Sequence, residues 1–198
     1  MKFLLFTILF FSSIALISFS FKVNELGSYT KASLGKKLFS EKILSKDSSV
    51  SCASCHNPKL AFADTLAFSI GINGNETNRN TPSVLNMKNR PYFYYDGRAA
   101  TLAQQSLMPI AHQFEMGLPI LEAVERLNKN STYRKAFLQV YKEVPSAKNL
   151  GASFEAYEKT LETVNSRYDD WANEKITYTA QEENGRALFV GEKAKCFN

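Results

Sequence analysis

An all-α fold is predicted for this chain on three observations. Apolar residues recur at three- and four-residue steps in several segments, and no run alternates apolar and polar residues for long. Where periodicity fails, from Asn57 to Asp96, the segment is rich in Asn, Gly and Pro and reads as long ordered loop. The composition suits a soluble globular protein, with 44% apolar and 22% charged residues, which excludes a disordered chain and a polytopic membrane protein. A formal charge of +5 is spread among interspersed lysines and carboxylates. No concentrated phosphate-facing patch results, so no nucleic-acid partner is expected.

The elements follow in chain order. Residues 3–21, FLLFTILFFSSIALISFSF, follow Lys2 and carry no charge, which matches an export signal with a short positive start. The run is also about long enough to span a bilayer, and no A-x-A site follows it. A cleaved signal and a retained inner-membrane anchor over residues 1–22 therefore both fit, and either directs the remainder to the periplasm. Leu34, Leu38 and Phe39 predict a helix between Tyr29 and Phe39, and the polar stretch SEKILSKDSSVS connects it to CASCH. In the loop region Phe62, Phe68, Ile70, Val84 and Leu85 are material to bury, and long loops in compact domains usually line sites.

Helical pattern returns after Arg98 with Leu102, Gln105 and Ser106, and Pro109 is read as its breaker. LPILEAVERLN and STYRKAFLQVY are the next helices, the latter with Ser131 as N-cap. Phe154, Tyr157, Leu161, Val164, Tyr168 and Trp171 predict one amphipathic helix from Ser153 to about Ala172, with this stripe packed in the core. NEKITYTAQEENG reads as a domain boundary, where Thr179 and Glu182 form a capping box for a new helix. GKKLF at 35–39, ahead of Cys52, is echoed by GRALF at 185–189, ahead of Cys196. One domain is thus expected over 23–175, and 176–198 is expected to be the start of a second copy, truncated at CFN.

The three cysteines, Cys52, Cys55 and Cys196, are an odd number, which in an exported chain argues against a plain disulfide framework. The C-x-x-C-H spacing has a chemical reason. Two thiols on one turn add across the two vinyl groups of haem, and the adjacent histidine is held under the iron. Cys52 and Cys55 are then the anchors of a haem c and His56 its iron ligand. A redox dithiol lacks its βαβ context, a zinc site lacks further ligands, and a structural disulfide is the remaining competitor. His112, the other histidine of the chain, is either a second iron ligand or a surface or satisfied core residue.

LGKKLFSEKILSKDSSVSCASCHNPKLAFAD, RNTPSVLN, YYDGRAATLAQQ and FEMG, in this order, resemble the bacterial di-haem cytochrome c peroxidases, which include the enzyme that matures the methylamine dehydrogenase cofactor. The resemblance runs from about Leu34 to Asn198. It implies two cytochrome c-like domains, a peroxidatic haem in the first and an electron-transferring haem in the second, with Cys196 as an anchor of the latter. It further implies Gln105, Pro109 and Glu115 in the distal pocket, with Glu115 as acid–base group. Tyr95 takes the place of an aromatic residue between the haems, and Asn80 that of a ligand to an interdomain calcium ion.

A carboxyl can supply the proton movement that heterolytic cleavage of peroxide needs, and desolvation against Phe114 and Met116 would raise its pKa. One departure is expected to matter. Ile72 stands where typical members place a histidine that ligates the resting iron, so this iron is expected to be open without reductive activation. The function expected is reduction of hydrogen peroxide to water with electrons from a small cytochrome c or cupredoxin; a homodimer is a possible assembly. The alternatives are an electron-transfer cytochrome and a family member oxidising a protein or organic substrate through high-valent haem. This chain alone, without a second haem, is expected to be inactive.

Overall fold

The structure, a computed structural model, describes residues 28–196. The expected signal or anchor and the final Phe197 and Asn198 lie outside the described residues. Among the described residues no helix is long and apolar enough to cross a membrane. The chain divides into two compact units, Met1–Leu161 and Glu162–Asn198.

The first unit is all-helical apart from loops, as predicted. Helix α1 (Lys31–Phe39) begins at a capping box in which Thr30 accepts the Ser33 N–H and Ser33 returns the bond. Helix α2 (Cys52–Cys55) is a single turn. It is followed by α3 (Leu102–Ala111), α4 (Ile120–Lys129), α5 (Ser131–Tyr141) and α6 (Ala147–Glu158). Leu34, Leu38 and Phe39 of α1 are buried against Leu150, Phe154 and Tyr157 of α6. Each such side chain stabilises the fold by roughly 1.5–3 kcal/mol. The two helices cross at Gly35, where a Cβ would lie 1.9 Å from the Ser153 carbonyl oxygen. Only glycine admits so close an approach. Helix α3 packs on the same α6, and Arg126 of α4 donates to the carbonyls of Ile43, Ser45 and Lys46, tying α4 to the segment ahead of α2.

Between α2 and α3 the chain is pinned as small loops by isolated bridges, Asn57 to Ala63, Ile70 to Glu76 and Phe93 to Ala99. Phe62 enters the core, and Val84 and Leu85 pack on it. Phe68 and Ile70 do not, at 46% and 42% exposure. Ser69 between them is the residue that points inward, bonding Asp64 and Thr81 at 2.6 Å each, so its neighbours face outward.

The helix boundaries differ from expectation at three places. Pro109 does not break α3 but sits in its last turn. There its missing N–H leaves only the Gln105 carbonyl without a helical donor, and the Tyr94 hydroxyl approaches that carbonyl at 3.4 Å. Asn130, not Ser131, caps α5, accepting the N–H groups of Thr132 and Tyr133. The single helix expected from Ser153 to about Ala172 is two. Helix α6 stops at Glu158, the Thr160 hydroxyl takes the Tyr157 carbonyl at 2.6 Å, Asn165 turns left-handed, and Ser166 caps a new helix. The stripe is therefore buried as far as Tyr157 and still packs on the core at Leu161, whereas Val164 and Tyr168 are 70% and 60% exposed. The two compact units divide after Leu161, within the segment that separates these two helices.

The second unit holds α7 (Arg167–Ala172) and α8 (Ala180–Val190). Thr179 and Glu182 form the expected capping box, and Arg167 pairs with Glu182 through two hydrogen bonds. Trp171 stacks on Tyr178 at 4.7 Å. The GRALF segment is helical like GKKLF, but Gly185 has nothing near it where Gly35 has a backbone.

Candidate functional site

A cavity of about 650 Å³ opens in the first unit, within the range of small-molecule and cofactor sites. The CASCH turn forms one part of its wall. The RNTP segment, the tyrosine loop at 92–95, the inner face of α3 and the turn after it form the rest, with the end of α6 at one edge.

The CASCH turn is set by its own serines. The Ser54 hydroxyl accepts the Ser51 N–H at 3.0 Å, and the His56 N–H closes the turn on the Cys52 carbonyl at 2.9 Å. Neither thiol is in a disulfide. Burial pushes the Cys52 thiol up to about 12 and raises Cys55 as well, so both stay protonated thiols. His56 donates from Nδ1 to the Phe62 carbonyl at 3.1 Å, which leaves Nε2 as the ring's ligating atom. Burial lowers its pKa, favouring the neutral imidazole that binds metal. The accepting carbonyl is held by two successive left-handed residues, Ala61 and Phe62, and by the Ser83 hydroxyl on the Ala61 carbonyl at 2.5 Å.

Opposite in sequence lies the turn after α3. Leu118 N–H returns to the Ile110 carbonyl at 2.7 Å and Gly117 N–H to that of His112 at 2.9 Å. Gly117 is left-handed at φ +61° and stands over the Ile72 side chain, and Gly71 runs against the Phe114 carbonyl. Ile72 N–H then donates to the Glu115 carbonyl at 3.0 Å. The Glu115 side chain is half-buried. Desolvation raises its pKa, against the lowering pull of His112 and Arg98. His112 Nδ1 lies 3.3 Å from its Oε1.

Of the residues singled out in the sequence, Cys52, Cys55, His56, Asn80, Tyr95, Gln105, Pro109 and Glu115 all border this one cavity. Tyr95 is exposed, with the Arg79 guanidinium 5.7 Å over its ring. Asn80 spends its amide N–H groups on the carbonyls of Leu66 and Ala67, at 3.2 Å each. Cys196 is exposed in the second unit. Ile72 is buried beneath Gly117 and does not border the cavity. Sequence reasoning missed Arg98 and Tyr94, stacked at 3.6 Å in the wall, and Glu158 at its edge. It also missed His112 as a partner of Glu115, although their three-residue spacing was a signal.

A family model described as di-haem cytochrome c peroxidase matches residues 29–177. The methylamine utilization protein MauG of Methylorubrum extorquens is 37% identical over 169 residues, which are 84% of this chain and 48% of that protein. The cytochrome c peroxidase Ccp of Escherichia coli is 34% identical over 82% of this chain and 36% of its own length. Among solved structures, a MauG-like protein associated with microbial copper homeostasis superposes with a TM-score of 0.76 at 31% identity, over 85% of this chain and 52% of that one. The diheme peroxidase BthA of Burkholderia thailandensis does so at 0.71 and 28%, over 82% and 47%. The chain spans about half the length, or less, of these relatives.

Proposed function

We propose, from the premise that this chain belongs to the di-haem cytochrome c peroxidase family, that it is the peroxide-reducing part of a periplasmic peroxidase. Its electrons come from a small redox protein. The observation that carries this reading is convergence: the CASCH residues and Gln105, Pro109 and Glu115, far apart in sequence, border one cavity.

The residues fit a covalent haem. Two thiols outside any disulfide, an imidazole with Nε2 available and a cavity of about 650 Å³ meet in one place. The Arg79, Arg90 and Arg98 side chains in its wall suit the two carboxylates of the cofactor. Cys52 and Cys55 would form the thioether bonds and His56 would ligate the iron. The bound haem supplies the metal centre and the electrons for cleaving the oxygen–oxygen bond.

What the chain's own groups do is move and hold protons. Peroxide parts heterolytically when a proton is carried from one oxygen to the other, and Glu115 can take it on a carboxylate oxygen and return it to the departing side. Its raised pKa brings that exchange closer to neutral pH. Gln105 positions peroxide or water by its amide, and Pro109 keeps the α3 wall apolar. With Ile72 buried away from the cavity, no imidazole is supplied from that loop. A haem held here would therefore receive no second imidazole from the Ile72 loop, and an oxidised-state spectrum showing bis-histidine ligation at this haem would contradict that reading. Calcium at Asn80 belongs to the same reading, as does a second haem anchored through Cys196.

The test is steady-state peroxide turnover of the haem-loaded full-length protein. Glu115→Gln should lower it by roughly 10²–10⁴-fold with an unchanged haem spectrum. Turnover within a few-fold of wild type refutes the assignment. The 37% identity to a methylamine utilization protein supports a second reading, oxidation of a protein or organic substrate. That reading predicts slow peroxide turnover in both forms unless such a substrate is added.

A further inference from the structure

Glu158, the last residue of α6, is 4% exposed and borders the cavity. Its Oε2 is buried and, among the described residues, is the one buried side-chain oxygen without a hydrogen-bond partner. The rest of the α6 interior face is satisfied. Asn149 donates to the Val144 carbonyl at 2.9 Å, and Ser153 donates to the Asn149 carbonyl at 2.8 Å and lies 3.1 Å from the Tyr141 hydroxyl. A helix that satisfies its other interior polar groups and leaves a carboxyl oxygen bare at a cofactor cavity has a use for it, because such burial is unfavourable by itself.

Arg79, Arg90 and Arg98 line the same cavity, and Arg98 is paired with Asp96, but none of them is among the charges that act on this carboxyl. On its own helix Glu155 faces it and is paired with Lys159 at 2.6 Å. Tyr157 and, on α2, the Cys52 sulfur feel its charge, and Glu115 acts on the same sulfur. On α1, Lys37 is held by the Tyr29 hydroxyl, Lys31 lies over the Tyr141 ring and Lys36 is exposed. Helix α3 carries no charged residue, and on α4 Glu122 and Glu125 pair with Arg126 and Lys129. Burial therefore pushes the Glu158 carboxyl up to about 8, with Glu155 adding to it. Glu158 is not among the partners of His56, whose ring bonds the Phe62 carbonyl.

Resting on the covalent-haem reading above, we propose that Glu158 is the proton partner of the haem's electron, its carboxylate taking one proton as the iron takes one electron. The balance is simple. Ferric haem, the Glu158 carboxylate, an electron from a one-electron reductant and a proton from solvent become ferrous haem and the Glu158 carboxylic acid. Ferric haem carries a net positive charge that favours the carboxylate, and reduction removes it. At a carboxyl only 4% exposed that change is felt with little screening. Glu158 is a positioning residue for charge and does not touch peroxide.

The test is a spectropotentiometric titration of the haem-loaded full-length protein at pH values on either side of about 8, following the haem attached at Cys52 and Cys55. In wild type the equilibrium constant for reduction should fall by up to tenfold per pH unit, the limit for one proton per electron. In Glu158→Gln it should be independent of pH over that range. A pH-independent wild type overturns the proposal, and so does an undiminished slope in the variant, which would place the proton on another group. Should the variant fail to fold, the infrared difference spectrum of wild type decides: reduction must add the carbonyl band of a protonated carboxyl, and no such band overturns the proposal. Covalent haem content, read from the denatured protein's spectrum, is a separate outcome that bears on the underlying reading alone.

Discussion

Replacing Gly35 by alanine sets one methyl group against a backbone. The added Cβ would stand 1.9 Å from the Ser153 carbonyl oxygen and 2.8 Å from the Tyr157 Cβ, where ordinary contact begins at 3.4 Å. Neither obstacle is the end of a flexible side chain, so α1 and α6 must part by roughly 1.5 Å, enough to forfeit a sizeable share of the dispersion contact between them. Overpacking of this kind costs ~1–3 kcal/mol, and contact with a main chain belongs at the upper end. Alanine returns ~1 kcal/mol through its better helix propensity. The net loss is about 2 kcal/mol, which at a urea dependence of ~1–3 kcal/mol per molar lowers the unfolding midpoint by about 1 M. Gly185→Ala is the internal control. It occupies the same place in the repeated pentapeptide, yet nothing lies within 4 Å of its added Cβ, so its midpoint should be equal or higher. Urea unfolding followed by far-ultraviolet circular dichroism measures both. A Gly35→Ala midpoint at or above wild type would refute the packing argument.

Three further outcomes are expected. Cys52→Ala together with Cys55→Ala should leave haem extractable from the denatured protein by acidified organic solvent; retention would mean that attachment lies elsewhere. Glu182, held by hydrogen bonds from Arg167 and then Thr179, has its pKa lowered from 4.5 to about 2. Its folded value is the lower one, so its stabilisation of α8 is complete above 4.5 and is lost as pH falls from there towards 2. The protection of the 180–190 amides, relative to their intrinsic exchange rates at each pH, should fall across that window, and protection that stays constant through it would contradict the ion pair. Asn130→Ala should cost ~1 kcal/mol through loss of the α5 cap, read as a lower thermal midpoint, whereas Ser131→Ala should cost less.

The legible part of this protein was what the chain writes locally. Helix periodicity gave α1, α4 and α5 because each has an apolar stripe close to one element long. CASCH pointed to a haem c because its spacing is itself the chemistry, and the family the chain belongs to is one of haem proteins. The stripe from Phe154 to Trp171 misled because three- and four-residue steps can continue through a break. Thr160, Asn165 and Ser166 supply competing hydrogen bonds and a left-handed turn that periodicity does not register. Glu158 was invisible for a different reason. Spacing marks a glutamate at the end of a helix as solvated, and only the arrangement of α1, α2 and α6 around it reveals that it is not. The family motifs brought Glu115 and Gln105 to notice, but which neighbours adjust Glu115 is a matter of the fold.

The turn that carries Glu115 is held by main-chain atoms on both flanks: Ile72 N–H on its carbonyl, Gly71 against Phe114, and Gly117 over Ile72. Its side chain meets the turn only at the His112 ring, 3.3 Å from Oε1. The position therefore behaves as a socket in which the side chain can be exchanged while the main chain that seats it stays in place. An engineered or divergent copy of this turn could carry a different acid, base or neutral donor over the same spot, provided the two glycines are left alone.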